Sequence, residues 1–201
     1  MLRWLPLLLL TVSGVGVAQP LLRLPDNREG WPFGICAHKN TQLNGVVTQA
    51  LDDLDAPWVR IDVKWFEIEK SKGVFDWTTV DAMINNARTH GYLVFATLAY
   101  TPAWATSGPE RSGVPSTPQL YGDFVSAVVA RHKDKVKHWG LWNEPEQSHF
   151  WSGTVPEFFD RVLKPGYQAV KAADPQALVL GPDCGPRPAL TASPKPDARS
   201  R

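Results

Sequence analysis

The sequence predicts an α/β fold of the (β/α)8-barrel type, incomplete at about five βα units, and three observations predict it. Short apolar runs alternate with amphipathic stretches from residue 31 onward. Crossovers long enough for a helix make the strands parallel. No glycine-rich phosphate loop follows the first run: Gly34 stands alone, and residues 36–40 read CAHKN, unlike the loop that opens a dinucleotide-binding sheet. Residues able to do chemistry recur just after successive strands (His38, Asp62 to Glu67, Tyr100 to Trp104, Asn143 and Glu144, Asp183), and a barrel places its chemistry on that face.

The elements follow in order. Residues 31–37 (WPFGICA) form a short apolar run opened by Gly and Pro, hence a strand. Residues 41–56 carry Val46, Val47, Ala50, Leu51 and Leu54 at helical spacing, and Pro57 stops them. Residues 58–63 (WVRIDV) make a second strand with alternating polar positions. A helix opens near Asp76, continues through Met83, Ile84 and Ala87, and closes at His90-Gly91 with a C-cap signature. Residues 92–98 (YLVFATL) are apolar throughout, as in a strand covered on both faces. Thr117-Pro118 starts the next helix, a cap residue before a first-turn proline, with a face of Leu120, Phe124, Val125, Val128 and Val129. Residues 136–142 form a fourth strand. Residues 155–173 form a helix kinked or broken at Pro165, and residues 177–180 (ALVL) a fifth strand.

The termini are expected to lie outside this fold. Arg3, the Leu5–Leu10 run and the small residues Gly16-Val17-Ala18 read as a secretory signal, residues 1–18, cut after Ala18. The apolar run is short for a spanning helix. Residues 19–30 then serve as a linker, residues 31–184 as the partial barrel domain, and residues 185–201, rich in Pro, Arg, Ser and Ala without periodicity, as a disordered tail. A full barrel takes about 250 residues, so the chain is expected to be cut short near Asp183. The leader predicts a secreted or periplasmic protein. Its two cysteines are expected to be a buried thiol at Cys36 and an incidental one at Cys184.

A net charge of +1 gives no electrostatic case for nucleic acid or an anionic membrane, and none for a membrane once the leader is cut. The five histidines have no ligand spacing, so no metal and no nucleotide cofactor is expected. Nine tryptophans are many for 201 residues; they serve as core filling or as flat platforms for sugar rings.

The segment that says most is residues 140–146 (GLWNEPE), at the end of the fourth strand. A carboxyl beside Trp142 and before Pro145 is expected to be partly desolvated, which raises a pKa toward neutrality. A carboxylic acid kept protonated near working pH can protonate a glycosidic oxygen, and Asn143 beside it can bond a sugar hydroxyl. A purely structural role accounts for Glu144 less well, because an unpaired buried carboxylate costs several kcal/mol.

This heptad resembles the Asn-Glu-Pro signature of clan A glycoside hydrolases, barrels that include many cellulases, mannanases and xylosidases. Residues 59–69 (VRIDVKWFEIE) with 73–77 (GVFDW) are similar to the clan's second-strand segment. Residues 97–105 (TLAYTPAWA) are similar to the third-strand segment of its family-39-like and related branches. The resemblance runs over residues 31–183 in the right order. It implies Glu144 as acid/base, Asn143 as the ligand of the 2-hydroxyl and Arg60 as a support of the nucleophile. It also implies a second carboxylate, a Glu at the end of strand seven, which has no counterpart among the five predicted strands. A retaining mechanism needs the two carboxyls about 5–5.5 Å apart.

Several alternatives stay open at the level of sequence. Arg60 is either that support or a structural ion pair with Asp62 or another acid. His38 is a sugar ligand or a satisfied loop histidine. Tyr100, Trp104 and Trp142 line a substrate groove, the two tryptophans being otherwise core, and Glu67 and Glu146 lie on the surface or the pocket rim. The chain as a whole reads as a hydrolase of O-glycosidic bonds with carbohydrate as its partner, as a non-catalytic carbohydrate-binding half-barrel, or as a nonfunctional truncated product.

Overall fold

A computed structural model describes residues 33–37 and 45–185. The expected signal peptide, linker and tail, and His38, therefore lie outside the described residues, apart from Gly185 at the tail's first position. Five strands, β1 (Gly34–Ala37), β2 (Trp58–Lys64), β3 (Leu93–Ala99), β4 (His138–Leu141) and β5 (Leu178–Leu180), form one sheet in the order β1-β2-β3-β4-β5. Every neighbouring pair is parallel. Helices α1 (Gly45–Asp53), α3 (Thr78–Thr89), α4 (Pro118–His132) and the run of α5 (Val155–Phe158) and α6 (Lys164–Ala173) fill the crossovers; a short α2 (Trp65–Ile68) follows β2. A doubly wound sheet reverses its strand order at a switch point. Sequential order with right-handed crossovers keeps all helices on one face, so the sheet winds in one sense as a barrel does.

The curvature is directly visible. In a flat sheet β2 and β5 would lie about 14 Å apart, three inter-strand spacings. Yet Arg60 on β2 lies 3.1 Å from Asp183, just past β5. Trp58 on β2 meets His138 on β4 edge to face at 4.7 Å across the intervening strand. Phe95 on β3 lies over Gly140, where an added Cβ would stand 2.8 Å from the ring. The sheet is therefore rolled into an arc.

Alternation along the strands separates two faces. Val59, Ile61, Val63, Val94, Ala96, Leu98, Trp139 and Leu141 point toward the helices and are buried. The concave face carries Cys36, Arg60, Asp62, Lys64, Thr97 and Gly140, in register across β1 to β4. The predicted run of residues 92–98 is thus buried on both sides, but its inner side includes Thr97, a hydrogen-bonding position.

Local sequence explains the ends of the elements. Gly91 at φ 78° closes α3 after His90, as its left-handed position requires. Thr117 caps α4 with extended backbone and Pro118 opens the helix, although the threonine side chain makes no cap bond. Thr154 and Glu157 form a reciprocal capping box at α5. The break expected at Pro165 is a wide π-helical turn, residues 159–163, between α5 and α6: proline lacks the N–H that a continuous helix would use. Two single-turn elements, α2 and a 3-10 turn at Ala103–Ala105, have no counterpart in the sequence pattern. Both follow strand ends, where they turn the chain back over the sheet.

Candidate active site

The C-terminal ends of the strands surround a cleft of about 570 Å³. Its wall is made by Cys36, Arg60, Asp62, Lys64, Phe66, Glu67, Tyr100, Arg111, Asn143, Glu144, His149 and Phe150. Cys36, Arg60, Asp62 and Lys64 reach it by strand alternation. Residues after β3 and β4 reach it through left-handed backbone at Tyr100 (φ 75°), Trp142 (φ 78°) and Glu144 (φ 43°). Non-glycine residues rarely adopt such angles, and they cluster at functional sites.

These angles break the alternation. Continued past Leu141, the strand would aim Trp142 into the cleft. The turn at Trp142 sends its indole to the helix layer instead, where it is fully buried against Tyr121, Trp151 and Phe158 and donates from Nε1 to the Phe150 carbonyl at 3.0 Å. The expected sugar contact by Trp142 is therefore corrected: it is a core residue. Trp104, half-buried, is not on this cleft wall either. Its indole meets Trp65 edge to face and donates to the Glu69 carbonyl at 2.7 Å, away from the cleft wall. Tyr100 does reach the cleft, packed against Phe66 and Phe150. Burial, with Asp62 and Glu144 adding, pushes its hydroxyl up to about 12, so it stays a neutral donor.

Glu144 sits on the cleft wall, half-buried. Its backbone N–H donates to the Asp183 carbonyl at 2.6 Å and its carbonyl accepts from Gln147 at 2.9 Å, so β5 and the following turn hold it at both ends. Among the described residues its carboxylate has no ion-pair partner within 4 Å. With Trp142 turned away, the aromatic enclosure expected around it is open on the cleft side.

Arg60 organises the floor. It donates from Nη2 to Asn143 Oδ1 at 2.8 Å and from Nε to Thr97 Oγ1 at 2.9 Å, and pairs with Asp62 Oδ1 at 2.9 Å and Asp183 Oδ2 at 3.1 Å. Thr97 Oγ1 also donates to Asp183 Oδ2 at 3.3 Å. Arg60 is thus an ion pair and a support together, and what it supports here is Asn143. With Oδ1 engaged, the Asn143 Nδ2 donors are left for a ligand. Cys36 Sγ lies 3.5 Å from Arg60 Nη1, and burial pushes this thiol up despite the cation. Cys36 and Cys184 form no disulfide.

On the rim, Lys64 pairs with Glu67 at 3.2 Å, and Glu146 accepts from the Gly185 N–H. Sequence reasoning does not single out Phe66, Thr97, Arg111, His149 or Phe150. Thr97 is legible as a polar residue inside an apolar run. The others sit on loops and turns whose course only the tertiary structure reveals.

A parallel, sequentially wound arc with a polar cleft at its carboxyl ends defines a barrel-type α/β protein with a ligand site at the expected face. The sequence matches the model of Glycosyl hydrolase family 10 over residues 27–180, and the chain belongs to that family. It is 27% identical over 144 residues to Endo-1,4-beta-xylanase 3 of Hypocrea jecorina, covering 67% of this chain and 39% of that protein. It is 28% identical over 120 residues to Endo-1,4-beta-xylanase 1 of Gibberella zeae, covering 56% and 33%. The chain thus spans well under half the length of these relatives. Among solved structures, a monomeric beta-xylosidase from Caulobacter crescentus CB15 superposes with a TM-score of 0.59 at 22% identity, over 68% of this chain and 32% of that one. A family 39 glycoside hydrolase from Bacteroides cellulosilyticus WH2 gives 0.57 at 18%, over 74% and 30%. Both are likenesses of fold.

Proposed function

We propose that this chain carries the acid/base half of a glycosidase site acting on O-glycosidic bonds of a β-linked, xylan-type polysaccharide or oligosaccharide. The observation that carries it is the placement of Glu144: a carboxyl free of ion pairs among the described residues, on a cleft wall, beside an Asn143 amide clamped by Arg60. Glu144 would protonate the leaving glycosidic oxygen and, as carboxylate, later activate water. Asn143 Nδ2 would donate to a ring hydroxyl, and Tyr100 would offer a neutral hydroxyl and a ring face. Names of relatives that are xylanases support the sugar class. Among the described residues no helix is long and apolar enough to cross a membrane; residues 1–18 are proposed as an export signal, as a polymer-degrading enzyme outside the cytoplasm would need.

A second reading, carbohydrate binding without hydrolysis, is favoured by one observation. Asp62 and Asp183 are both engaged by Arg60, and Glu67 by Lys64. Glu144 is then the one cleft-lining carboxylate among the described residues outside an ion pair, whereas retaining hydrolysis needs two. Assaying the full chain with aryl β-xylosides separates the readings. Hydrolysis that falls by a factor of about 10²–10⁴ in Glu144→Gln supports the acid/base role. Turnover that Glu144→Gln leaves intact overturns it, and saturable binding of xylo-oligosaccharides without turnover supports the binding reading.

A further inference from the structure

The cleft wall carries three cations, and two are spoken for. Arg60 is held by Asp62 and Asp183, and Lys64 by Glu67. Arg111 is the third. Among the described residues it forms no ion pair and no side-chain hydrogen bond; its guanidinium lies over the Phe66 ring, 4.5 Å from the centroid. The backbone beneath it is tightly specified. Arg111 N–H donates to the Thr101 carbonyl at 2.7 Å and its own carbonyl accepts from Thr101 at 3.1 Å. Its φ of 77° is one that an L side chain takes only when the surroundings impose it. Thr101 is fully buried, with its hydroxyl bonded to the Gly113 carbonyl at 2.6 Å.

A guanidinium held over an aromatic ring keeps its five N–H donors, in a fixed fork, for a ligand wherever no protein group takes them. That fork matches a carboxylate in two parallel charge-assisted bonds. A neutral sugar offers it only single, weaker partners.

We propose that Arg111 is a specificity-determining residue that selects glycans bearing a carboxylate, that is, a uronic-acid unit or branch placed over the Phe66 side of the cleft. The proposal rests on the glycan reading of the cleft and adds the charge of the ligand to it. Phe66 lies under the guanidinium, Tyr100 backs Phe66 at 6.5 Å between centroids, and the loop with its left-handed Arg111 carries the cation on the cleft wall. Glu144 sits on the same wall with no cation beside it, so the two uncompensated charges divide the site into an anion-receiving part and a proton-donating part.

Calorimetric titration of the full chain with xylotriose and with xylotriose carrying one glucuronosyl branch tests this. The branched ligand is expected to bind about tenfold more tightly at low salt, with the advantage shrinking as ionic strength rises. Arg111→Gln is expected to bind the two ligands alike. Arg131→Gln, an exposed arginine paired with Asp81 far from the cleft, is expected to keep the preference. Equal wild-type affinities, or a preference that survives Arg111→Gln, overturn the role of Arg111 and leave the glycan reading standing. Failure to bind either ligand removes the glycan reading itself, and this proposal with it.

Discussion

Arg60 meets Cys36, Asp62, Thr97, Asn143 and Asp183, side chains from β1, β2 and β3 and from just beyond β4 and β5. It ties the floor of the arc together at the point where the ligand would rest. Asp62 is 8% exposed, so removing its cation strands a nearly buried carboxylate, a loss of about 3–5 kcal/mol. Arg60→Met is therefore expected to lower the urea midpoint sharply, and adding Asp62→Asn to recover part of the loss. A double-mutant cycle by urea denaturation reads the coupling directly; additive effects of the two substitutions would show the pair to be incidental. At this scale the sequence is legible in patches. Glu144, Asn143 and Arg60 can be found because their neighbours carry a motif and their strands a period. Trp142 is misread when parity is extended one residue past the strand, because its φ of 78° reverses the side chain. Arg111 gives no signal: it lies in a loop rich in Gly, Ser and Pro, and its value comes from Phe66, much earlier in the chain.

At the scale of elements, α3 and α4 meet through a buried titratable group. His132, in the last turn of α4, is 2% exposed and packs edge to face on Trp77, with Asp81 of α3 at 3.5 Å from Nε2. Burial pulls its pKa down to about 4; Asp81 opposes this, while Arg131 and Lys135 reinforce it. The native state therefore keeps the ring neutral where the unfolded chain takes up a proton, from the ordinary value near 6.5 down to about 4. Stability from this site is fully present above about pH 6.5 and is lost as pH falls through that window, by up to roughly 3 kcal/mol. Asp81 and Asp174 act lower. Arg131 holds the first carboxyl, and Lys137 the second, below the usual value, so their stabilising effect fades only in stronger acid. Melting curves between about pH 7 and 4.5 are expected to show a falling Tm that flattens in His132→Leu; an unchanged slope in that variant would move the acid sensitivity elsewhere. Strands and helices are readable because their apolar periods are long and their ends are marked by Gly91, Pro118 and Pro165. The turns α2 and Ala103–Ala105 are not, because three or four residues carry no period.

At the scale of the whole molecule, the outer face of the sheet is sealed and the inner face is not. Residues toward the helices reach zero exposure, whereas on the inner face Leu178 and Leu180 of β5 are 56% and 40% exposed. In a closed eight-stranded barrel such positions form packed layers with residues from alternate strands. In the arc of five they meet solvent, and β5 has a paired neighbour only on its β4 side among the described residues. An apolar edge strand of this kind is a template for self-association. The two leucines are therefore expected to add little to the stability of the described arc and to favour its self-association. Leu178→Lys with Leu180→Lys is expected to change unfolding free energy by less than about 1 kcal/mol, since little apolar surface leaves the interior. The same change is expected to cut binding of a hydrophobic dye and to raise the concentration at which light scattering appears. A loss of several kcal/mol would mean instead that these side chains are covered in solution, and that the barrel interior is filled by partners the arc itself does not supply.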